Sequence, residues 1–169
     1  MKVKFKKLRE NAKLPVKSNE SDFGYDVYAC DCIEVLPGVY KYPLGFALQI
    51  DETERVFLKE AVKDQYYEKT KCTVQIPSEC ILDIDFRPRS SIYKTGMSLC
   101  NSEGTVDRDY TGEVCLFFYH LKPELPKYEI GERIAQMKIG FTLPIEFVEV
   151  EELEETERGD GGFGSTGKN

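Results

Sequence analysis

Hydrophobic and polar residues alternate along much of this chain, in short segments that end at glycine, proline or other turn residues. Alternation with a period of two places successive side chains on opposite faces of a strand, so each segment predicts a half-buried β-strand. One short helical turn is predicted at 90–94. Many short strands at close spacing indicate an all-β, jelly-roll-like barrel or sandwich. The candidate strands lie at 3–8, 25–29, 33–36, 39–50, 80–86, 114–120, 133–141 and 145–150.

The first strand carries lysines that alternate with Val3 and Phe5. Charges of this kind protect the edge of a sheet against pairing with other chains, so an edge strand is predicted. A basic N-terminus can also contact DNA. The whole chain argues against nucleic acid as a partner, because 30 Asp and Glu residues outnumber 23 Lys and Arg residues and the net charge is −7. Non-specific binding to nucleic acid depends on an excess of positive charge.

The chain has 169 residues, which corresponds to one domain at roughly 150 residues per domain. No segment approaches the roughly 20 apolar residues of a membrane span. The N-terminus lacks the apolar run of a signal peptide. We therefore expect no membrane partner and a cytoplasmic location, in a bacterial or phage-infected cell. The six cysteines include no CxxC pair and the one histidine is His120, which favours small buried thiols over a zinc site or disulfides.

A charged segment at 51–71 interrupts the strand pattern, and its apolar positions fit a helical stripe as well as a hairpin. Leu-Gln-Ile at 48–50 is echoed by Val-Gln-Ile at 74–76. This echo predicts an insertion at about 51–73 within a β domain that spans 1–157. The inserted segment can contact a neighbouring subunit, bind a protein partner, or be inert.

The last residues, 158–169, form a flexible glycine-rich tail with five glycines between Arg158 and position 167. Glycine at this density disfavours both helix and strand. A plain linker is one interpretation. Glycine amides, Arg158 and the hydroxyls of Ser165 and Thr166 can bind phosphate oxygens, and Phe163 can stack on a flat ring. The combination predicts a lid over a nucleotide.

Arg89, Ser90 and Ser91 follow a predicted strand and open the predicted helical turn. Hydroxyls and amides at the start of a helix can bind anions, which makes this cluster a candidate phosphate site. The alternative is a capping serine beside a surface arginine.

A third cluster lies at 101–113, where glycines bracket a segment of apolar, acidic and aromatic residues. The amide of Asn101 can read a base edge. Asp107 can serve as a general base or bind a metal, and Tyr110 can pack against a sugar. The alternative is an ordinary hairpin with Asp107 on its solvent face.

Together these segments resemble the five ordered motifs of the trimeric dUTP pyrophosphatases, or dUTPases. The resemblance covers nearly the whole chain, and the third and fifth motifs are highly specific. It implies a β jelly-roll homotrimer with shared active sites. It also implies Mg²⁺-dependent hydrolysis of dUTP to dUMP and pyrophosphate, which limits uracil in DNA and supplies dUMP for thymidylate synthesis. The matching segments are 24–29, 88–91, 101–112, 131–136 and 158–167.

The resemblance also implies roles for single residues. Asp107 would activate the water that attacks the α-phosphorus, Tyr110 would pack on the deoxyribose, and Phe163 of a neighbouring subunit's tail would stack on uracil. No side chain would bind Mg²⁺ directly, because the substrate phosphates carry the ion, although Asp26 could contact it through water. The implied substrate-binding residues are Arg89, Ser90, Ser91, Asn101, Gly104, Val106, Tyr110, Gln136, Arg158, Phe163, Gly164, Ser165 and Thr166.

Two departures from the family pattern stand out. Ser91 replaces a common glycine, which can change the backbone at the phosphates, and Glu132 replaces a common aspartate. Two alternatives to a dUTP diphosphatase are open. A dCTP deaminase shares the fold, but Asp107 and Tyr110 follow the dUTPase pattern. A regulatory protein could keep the nucleotide pocket and act by binding a protein partner through 51–71.

Overall fold

The computed structural model describes residues 3–50, 81–143, 145–157 and 159. The predicted insertion at about 51–73, with its candidate partner surface, lies outside these residues. So do all the tail residues named above as substrate-binding. Within the described part, no helix is both long and apolar enough to cross a membrane.

The described residues form antiparallel β-strands and a 3-10 helix at Ser90–Lys94, so the all-β prediction and the helical turn at 90–94 are confirmed. The strands are β1 (Val3–Lys7), β2 (Tyr25–Tyr28), β3 (Ile33–Leu36), β4 (Val39–Pro43), β5 (Phe46–Ile50), β6 (Ile81–Pro88), β7 (Met97–Leu99), β8 (Gly104–Val106), β9 (Cys115–His120) and β10 (Arg133–Thr142).

These strands build three sheets. One four-stranded sheet has the order β2-β10-β6-β8, the other has the order β3-β4-β9-β7, and β1 pairs with β5 alone. β1 is therefore an edge strand with exposed lysines, as predicted. The chain leaves β5 at Ile50, which pairs with Val3, and it enters β6 at Ile81, which pairs with Thr142.

A single buried cluster joins the inward faces of both four-stranded sheets. Tyr42 on β4 and Phe118 on β9 meet edge to face with ring centroids 5.6 Å apart, an arrangement that aromatic pairs prefer. The Tyr42 hydroxyl donates to the backbone oxygen of Tyr128 at 3.1 Å, so its burial leaves no unpaired hydroxyl. Phe86 on β6 and Ile134 on β10 reach the same cluster from the sheet that carries the candidate site.

The predicted strand at 39–50 is in fact two strands, β4 and β5. Gly45 separates them with a φ of +76°, a left-handed conformation that a regular strand does not contain and that glycine adopts readily. A Cβ at this position would lie 2.5 Å from the Cys30 sulfur. The long apolar run in the sequence hides this corner because only the backbone conformation reveals it.

The prediction of a strand at 145–150 is wrong. Its apolar residues are exposed, and the described residues of this segment belong to no sheet. Alternation predicts a face but not a pairing partner. The cysteine prediction is confirmed for Cys30, which is free and buried, while Cys32, Cys100 and Cys115 are free and partly buried.

Candidate functional site

Asp26 on β2 is a buried carboxylate, only 2% exposed. Four side chains donate to it. Arg89 Nε and Gln136 Nε2 donate to Oδ1 at 3.2 and 3.3 Å, and Ser18 Oγ and Arg133 Nη1 donate to Oδ2 at 3.0 and 2.9 Å. Both oxygens are thus fully bonded, which is the condition under which a buried charge is tolerated.

A β-bulge brings two of these donors together. Arg133 and Gln136 stand three residues apart on β10, and a regular strand would direct them to opposite faces. The register against β2 shifts between Arg133 and Ala135, so β10 has one extra residue at this point. The bulge returns both side chains to Asp26.

The pKa of Asp26 is lowered. Burial of the carboxyl acts to raise its pKa, but the hydrogen bonds from Ser18 and Arg133 and the positive charges of Arg89 and Arg133 outweigh burial. Asp26 is therefore an ionised anchor at neutral pH.

Arg89 connects this carboxylate to the 3-10 helix. It stands at the N-terminal flank of Ser90–Lys94, with an extended backbone. Ser90 is exposed and Ser91 partly buried. Among the described non-glycine residues only Ser102 has a positive φ. The serine at position 91 therefore occupies a conformation that does not require the glycine common in the family.

The Asp26 cavity, of about 470 Å³, opens above this cluster. A loop that precedes β2 forms its rim, and Asp22 fixes that loop by accepting from the backbone nitrogen of Asn19 at 2.9 Å. Gly24 lies against Gln136, since a Cβ there would stand 3.0 Å from the Gln136 Cβ. The lining residues are Ser18, Asn19, Ser21, Asp22, Phe23, Gly24, Asp26, Arg89 and Gln136.

A second group of predicted residues lies after β8. Asp107 follows that strand and is exposed, and the backbone nitrogen of Tyr110 donates to the Asp107 carbonyl at 3.0 Å, which closes a turn. Thr105 on β8 donates to Asp85 on β6 at 2.8 Å and holds the strand pair beside the turn. The exposed position is common to both interpretations of this segment, the general base and the ordinary hairpin with Asp107 on its solvent face.

The ring of Tyr110 lies on Gly112. A Cβ at position 112 would stand 2.6 Å from the Tyr110 hydroxyl oxygen, so this ring orientation requires glycine there. The hydroxyl donates to the backbone oxygen of Glu113 at 2.8 Å. Both contacts fix the ring before any ligand binds.

The Asp107 cavity, of about 500 Å³, lies between this turn and the sheet that contains β4 and β9. It combines carboxylates, one lysine and apolar walls. The lining residues are Lys41, Thr105, Val106, Asp107, Tyr110, Glu113, Val114, Cys115 and Phe117.

Asn101 and Gly104 bracket the tight turn that leads into β8. A Cβ at Gly104 would lie 3.2 Å from the Asn101 side-chain nitrogen, so the close approach depends on glycine. Ser102 between them has a φ of +56°. A non-glycine residue in this region carries backbone strain, and such strain concentrates at binding sites.

The structure thus divides the predicted residues into two groups within one chain. Asp26, Arg89 and Gln136 line one cavity, and Asp107 and Tyr110 line the other together with Val106. Among the described residues, none lines both cavities. Ser90, Ser91, Asn101 and Gly104 lie beside these groups without lining either cavity.

Sequence reasoning missed Ser18 and Arg133 as partners of Asp26. Arg133 lies within the fourth motif, so its position was a usable signal, but the bulge that turns it inward is not visible in the sequence. Ser18 carries no signal of its own. It comes close because Val16 and Asp26 form an isolated backbone bridge.

Among the described residues, no group of three or more His, Cys, Asp or Glu side chains could hold a metal ion. The four donors to Asp26 leave its oxygens no free position for direct coordination. The donor set fits an ion that arrives on phosphates with its own waters, and it does not fit a metal bound only by protein.

Comparison with known proteins gives one family. The family model for dUTPase matches residues 40–167. The chain is 36% identical over 168 residues to a deoxyuridine 5′-triphosphate nucleotidohydrolase from Hydrogenobaculum sp. (strain Y04AAS1), and the match covers 99% of each chain. It is 33% identical to the protein of the same name from Nautilia profundicola, covering 99% of this chain and 100% of that one.

Solved structures support the same fold. The dUTPase of Staphylococcus bacteriophage 80alpha with dUPNHPP is similar at a TM-score of 0.67 and 23% identity, with 99% of each chain covered. A mutant dUTPase from phage phi11 of S. aureus, described with a structural Mg(II) ion, is similar at a TM-score of 0.62 and 17% identity. That match covers 92% of this chain and 100% of the other.

Proposed function

The chain belongs to the dUTPase family and hydrolyses dUTP, and from this premise we propose that Asp107 is the general base of the reaction. In this proposal Asp107 orients a water molecule and takes its proton as the water attacks the α-phosphorus. The phosphoanhydride bond to the β-phosphate breaks, and dUMP and pyrophosphate leave. The observation that carries the proposal is the exposed Asp107 carboxylate beside Tyr110 on the wall of one cavity.

The nucleoside is assigned to the Asp107 cavity. The fixed ring of Tyr110 forms a flat wall on which deoxyribose packs, and a 2′-hydroxyl would meet that wall. Asn101 and the backbone at Gly104 and Val106 bind uracil at the neighbouring turn. A rigid backbone turn suits this task because donors and acceptors at fixed positions discriminate better than an apolar pocket.

The triphosphate is assigned to the Asp26 cavity. Arg89 bonds Asp26 through Nε, so its terminal nitrogens are the part of the guanidinium that faces a phosphate. Gln136 is held by the same carboxylate and lines the cavity. Ser90 and Ser91 add hydroxyls and amides at the start of the 3-10 helix. Asp26 orients these donors and does not itself take part in proton transfer.

Mg²⁺ is the implied cofactor, and the bound ion would offset the roughly −4 charge of the triphosphate. The substrate phosphates would hold it, with Asp26 contacting its waters at most. The bonded state of both Asp26 oxygens supports this assignment over direct coordination.

A homotrimer with shared sites completes the proposal. Nucleoside and triphosphate belong to one substrate, yet within one chain no described residue lines both of their cavities. We assign the Asp107 cavity of one subunit and the Asp26 cavity of another to the same active site. The tail, with Arg158, Phe163, Gly164, Ser165 and Thr166, is proposed from sequence alone to close over that site.

In the cell, this activity would act in the cytoplasm to keep uracil out of DNA and to supply dUMP for thymidylate synthesis. The substrate is tested by pyrophosphate release from dUTP, dCTP, dTTP and UTP, each with Mg²⁺ and with EDTA. We expect release from dUTP alone, lost with EDTA. Release that persists in EDTA contradicts the Mg²⁺ assignment, and release from UTP at the same rate contradicts the sugar wall.

Shared sites are tested by mixing two inactive variants, Asp107→Asn and Gln136→Ala, under conditions that exchange subunits. If each site combines cavities from two subunits, random mixing restores about a quarter of the sites. If both cavities belong to one chain's site, no activity returns. Each variant exchanged with itself is the control.

A further inference from the structure

Arg9 forms a two-pronged ion pair with Glu113, a residue that lines the Asp107 cavity. Arg9 Nε donates to Glu113 Oε1 at 2.5 Å, and Nη2 donates to Oε2 at 3.1 Å. Paired donors on paired acceptors give the strongest guanidinium–carboxylate geometry. The two residues are 104 positions apart in the chain, so the pair ties the N-terminal segment to the nucleoside end of the site.

The surrounding structure holds Arg9 in place from two directions. Its backbone nitrogen donates to the Gly45 carbonyl at 3.1 Å. Its remaining guanidinium nitrogen, Nη1, donates to Asp31 at 3.1 Å, and Asp31 accepts the backbone nitrogen of Cys32 at 2.8 Å. Arg9 does not line the cavity itself. It stands behind the wall and holds one carboxylate of that wall.

The charge of the Glu113 carboxylate matters because Glu113 lines the cavity in which Asp107 lies. Asp107 lines the same cavity, and Lys41 is the cation among its lining residues. A second unpaired carboxylate beside Asp107 would repel a nucleotide that carries several negative charges. Repulsion between unit charges across a partly solvated cavity is large enough to weaken binding about tenfold.

We propose that Arg9 is a positioning residue for the dUTPase reaction. It neutralises Glu113 and holds that carboxylate against the cavity wall, so that Asp107 remains the free carboxylate among the described lining residues. The inference rests on the assignment, under Proposed function, of the nucleoside to this cavity and of the α-phosphorus to the water that Asp107 activates. It adds a requirement: the N-terminal segment before β2 contributes electrostatically to substrate binding.

The test is a charge-rescue cycle with Arg9→Met, Glu113→Gln and the double variant. Arg9→Met leaves Glu113 charged and unpaired, so we expect kcat/KM for dUTP to fall about tenfold at low salt, chiefly through KM. Glu113→Gln removes the pair without leaving an unpaired carboxylate in the cavity, while Arg9 keeps its ion pair with Asp31, and it should have a smaller effect. The double variant should recover most of the loss. Lys6→Met, which removes one exposed positive charge from β1, is the matched control and should match the unaltered protein.

Two further measurements separate electrostatics from packing. The Arg9→Met defect should shrink as salt rises from about 0.05 to 0.5 M, because salt screens the exposed charge. Binding of a non-hydrolysable dUTP analogue should weaken in Arg9→Met, while binding of uncharged deoxyuridine stays unchanged. A double variant as impaired as Arg9→Met, or a defect equal for dUTP and deoxyuridine, overturns the proposal.

Binding of the dUTP analogue distinguishes an error in the role of Arg9 from an error in the assigned nucleotide site. If the unaltered protein does not bind the analogue, the nucleotide site itself is wrong. If it binds the analogue and Arg9→Met binds it equally well, only the role of Arg9 is wrong. Should Arg9→Met unfold below the assay temperature, Arg9→Gln enters the same cycle with the same expected rescue.

Discussion

Asp26 and Asp107 are carboxylates of the same protein in opposite surroundings. Asp26 is buried, accepts four side-chain hydrogen bonds and faces two arginines. Asp107 is exposed in a turn, and the bond that fixes it there goes to its backbone carbonyl. The Asp26 carboxylate is fully hydrogen bonded within the protein, and the Asp107 carboxylate is open to solvent.

The two surroundings suit the two carboxylates to different roles. A carboxylate whose pKa is lowered and whose lone pairs are filled accepts a proton poorly, so Asp26 is unsuited to act as a base. An exposed carboxylate can hydrogen bond to a water molecule and take its proton. The fold supplies four side-chain hydrogen bonds to Asp26, which holds the proposed phosphate donors, and leaves the Asp107 carboxylate exposed.

The largest expected effect comes from Asp107→Asn. An amide cannot take the proton, so turnover should fall by about 10²- to 10⁴-fold, the usual contribution of a general base. Binding of a non-hydrolysable dUTP analogue should persist. Asp109→Asn, a neighbouring exposed aspartate, is the control, and single-turnover kinetics with calorimetry measure both effects. Normal turnover in Asp107→Asn would remove it as the base.

Asp26→Asn should instead lower stability, because it leaves two arginines facing a neutral side chain. We expect a loss of about 2–3 kcal/mol in the free energy of unfolding at pH 7, below the ~3–5 kcal/mol of a fully buried pair since both arginines are partly exposed. Ser18→Ala removes one donor and should cost about 1 kcal/mol. Urea denaturation measures both, and an Asp26→Asn protein as stable as the original contradicts the anchor role.

The stability lost in Asp26→Asn should depend on pH. The pKa of Asp26 in the folded protein lies below its ordinary value of 3.8, so the unfolded chain binds this proton more readily. The stabilisation is complete at neutral pH and is lost as pH falls below about 3.8, through the folded-state pKa. The stability difference between the original and Asp26→Asn should therefore narrow in acid. A gap that stays constant down to pH 3 argues against an ionised Asp26.

A smaller effect is expected at Tyr110, whose ring is the proposed wall against the deoxyribose. Tyr110→Ala removes the ring that lies on Gly112, and discrimination between dUTP and UTP should drop about tenfold, consistent with the ~1–3 kcal/mol of a steric wall. The ratio of kcat/KM for the two substrates measures it. An unchanged ratio would mean that another group excludes the 2′-hydroxyl.

The smallest effect is expected from Ser102→Gly. Glycine adopts the positive φ at this position without strain, so the loop before β8 should gain about 0.5–1 kcal/mol. The greater freedom of glycine in the unfolded chain offsets part of this gain. Thermal unfolding measures the change, and a clear loss of stability would show that the serine side chain makes its own contribution.

Much of the fold and of both carboxylate sites could be predicted from the sequence. The strand pattern and the helical turn follow from the sequence, and Asp26, Arg89 and Gln136 each lie in a segment that the motifs single out. Ser18 and Arg133 escaped prediction because a bulge and an isolated bridge bring them to Asp26. These are backbone events, and they leave no mark in hydrophobic periodicity.

Two strand predictions failed for a related reason. The segment 39–50 turns a corner at Gly45, and the segment 145–150 has no pairing partner among the described strands. β7 and β8 have three residues each, too few for alternation to be recognised. Sequence pattern reports which side chains suit a strand, while pairing and corners depend on distant parts of the chain.

The pairing of β6 with β10 has an evolutionary consequence. Arg89 follows one end of this strand, and the chain from β5 enters at the other end, at Ile81. A strand of eight residues separates the two ends by about 23 Å. The connection between β5 and β6 therefore joins the sheet at the end of β6 that lies away from Arg89. Residues can be gained or lost at that attachment point in one lineage after another without a change in the strand register that leads to Arg89.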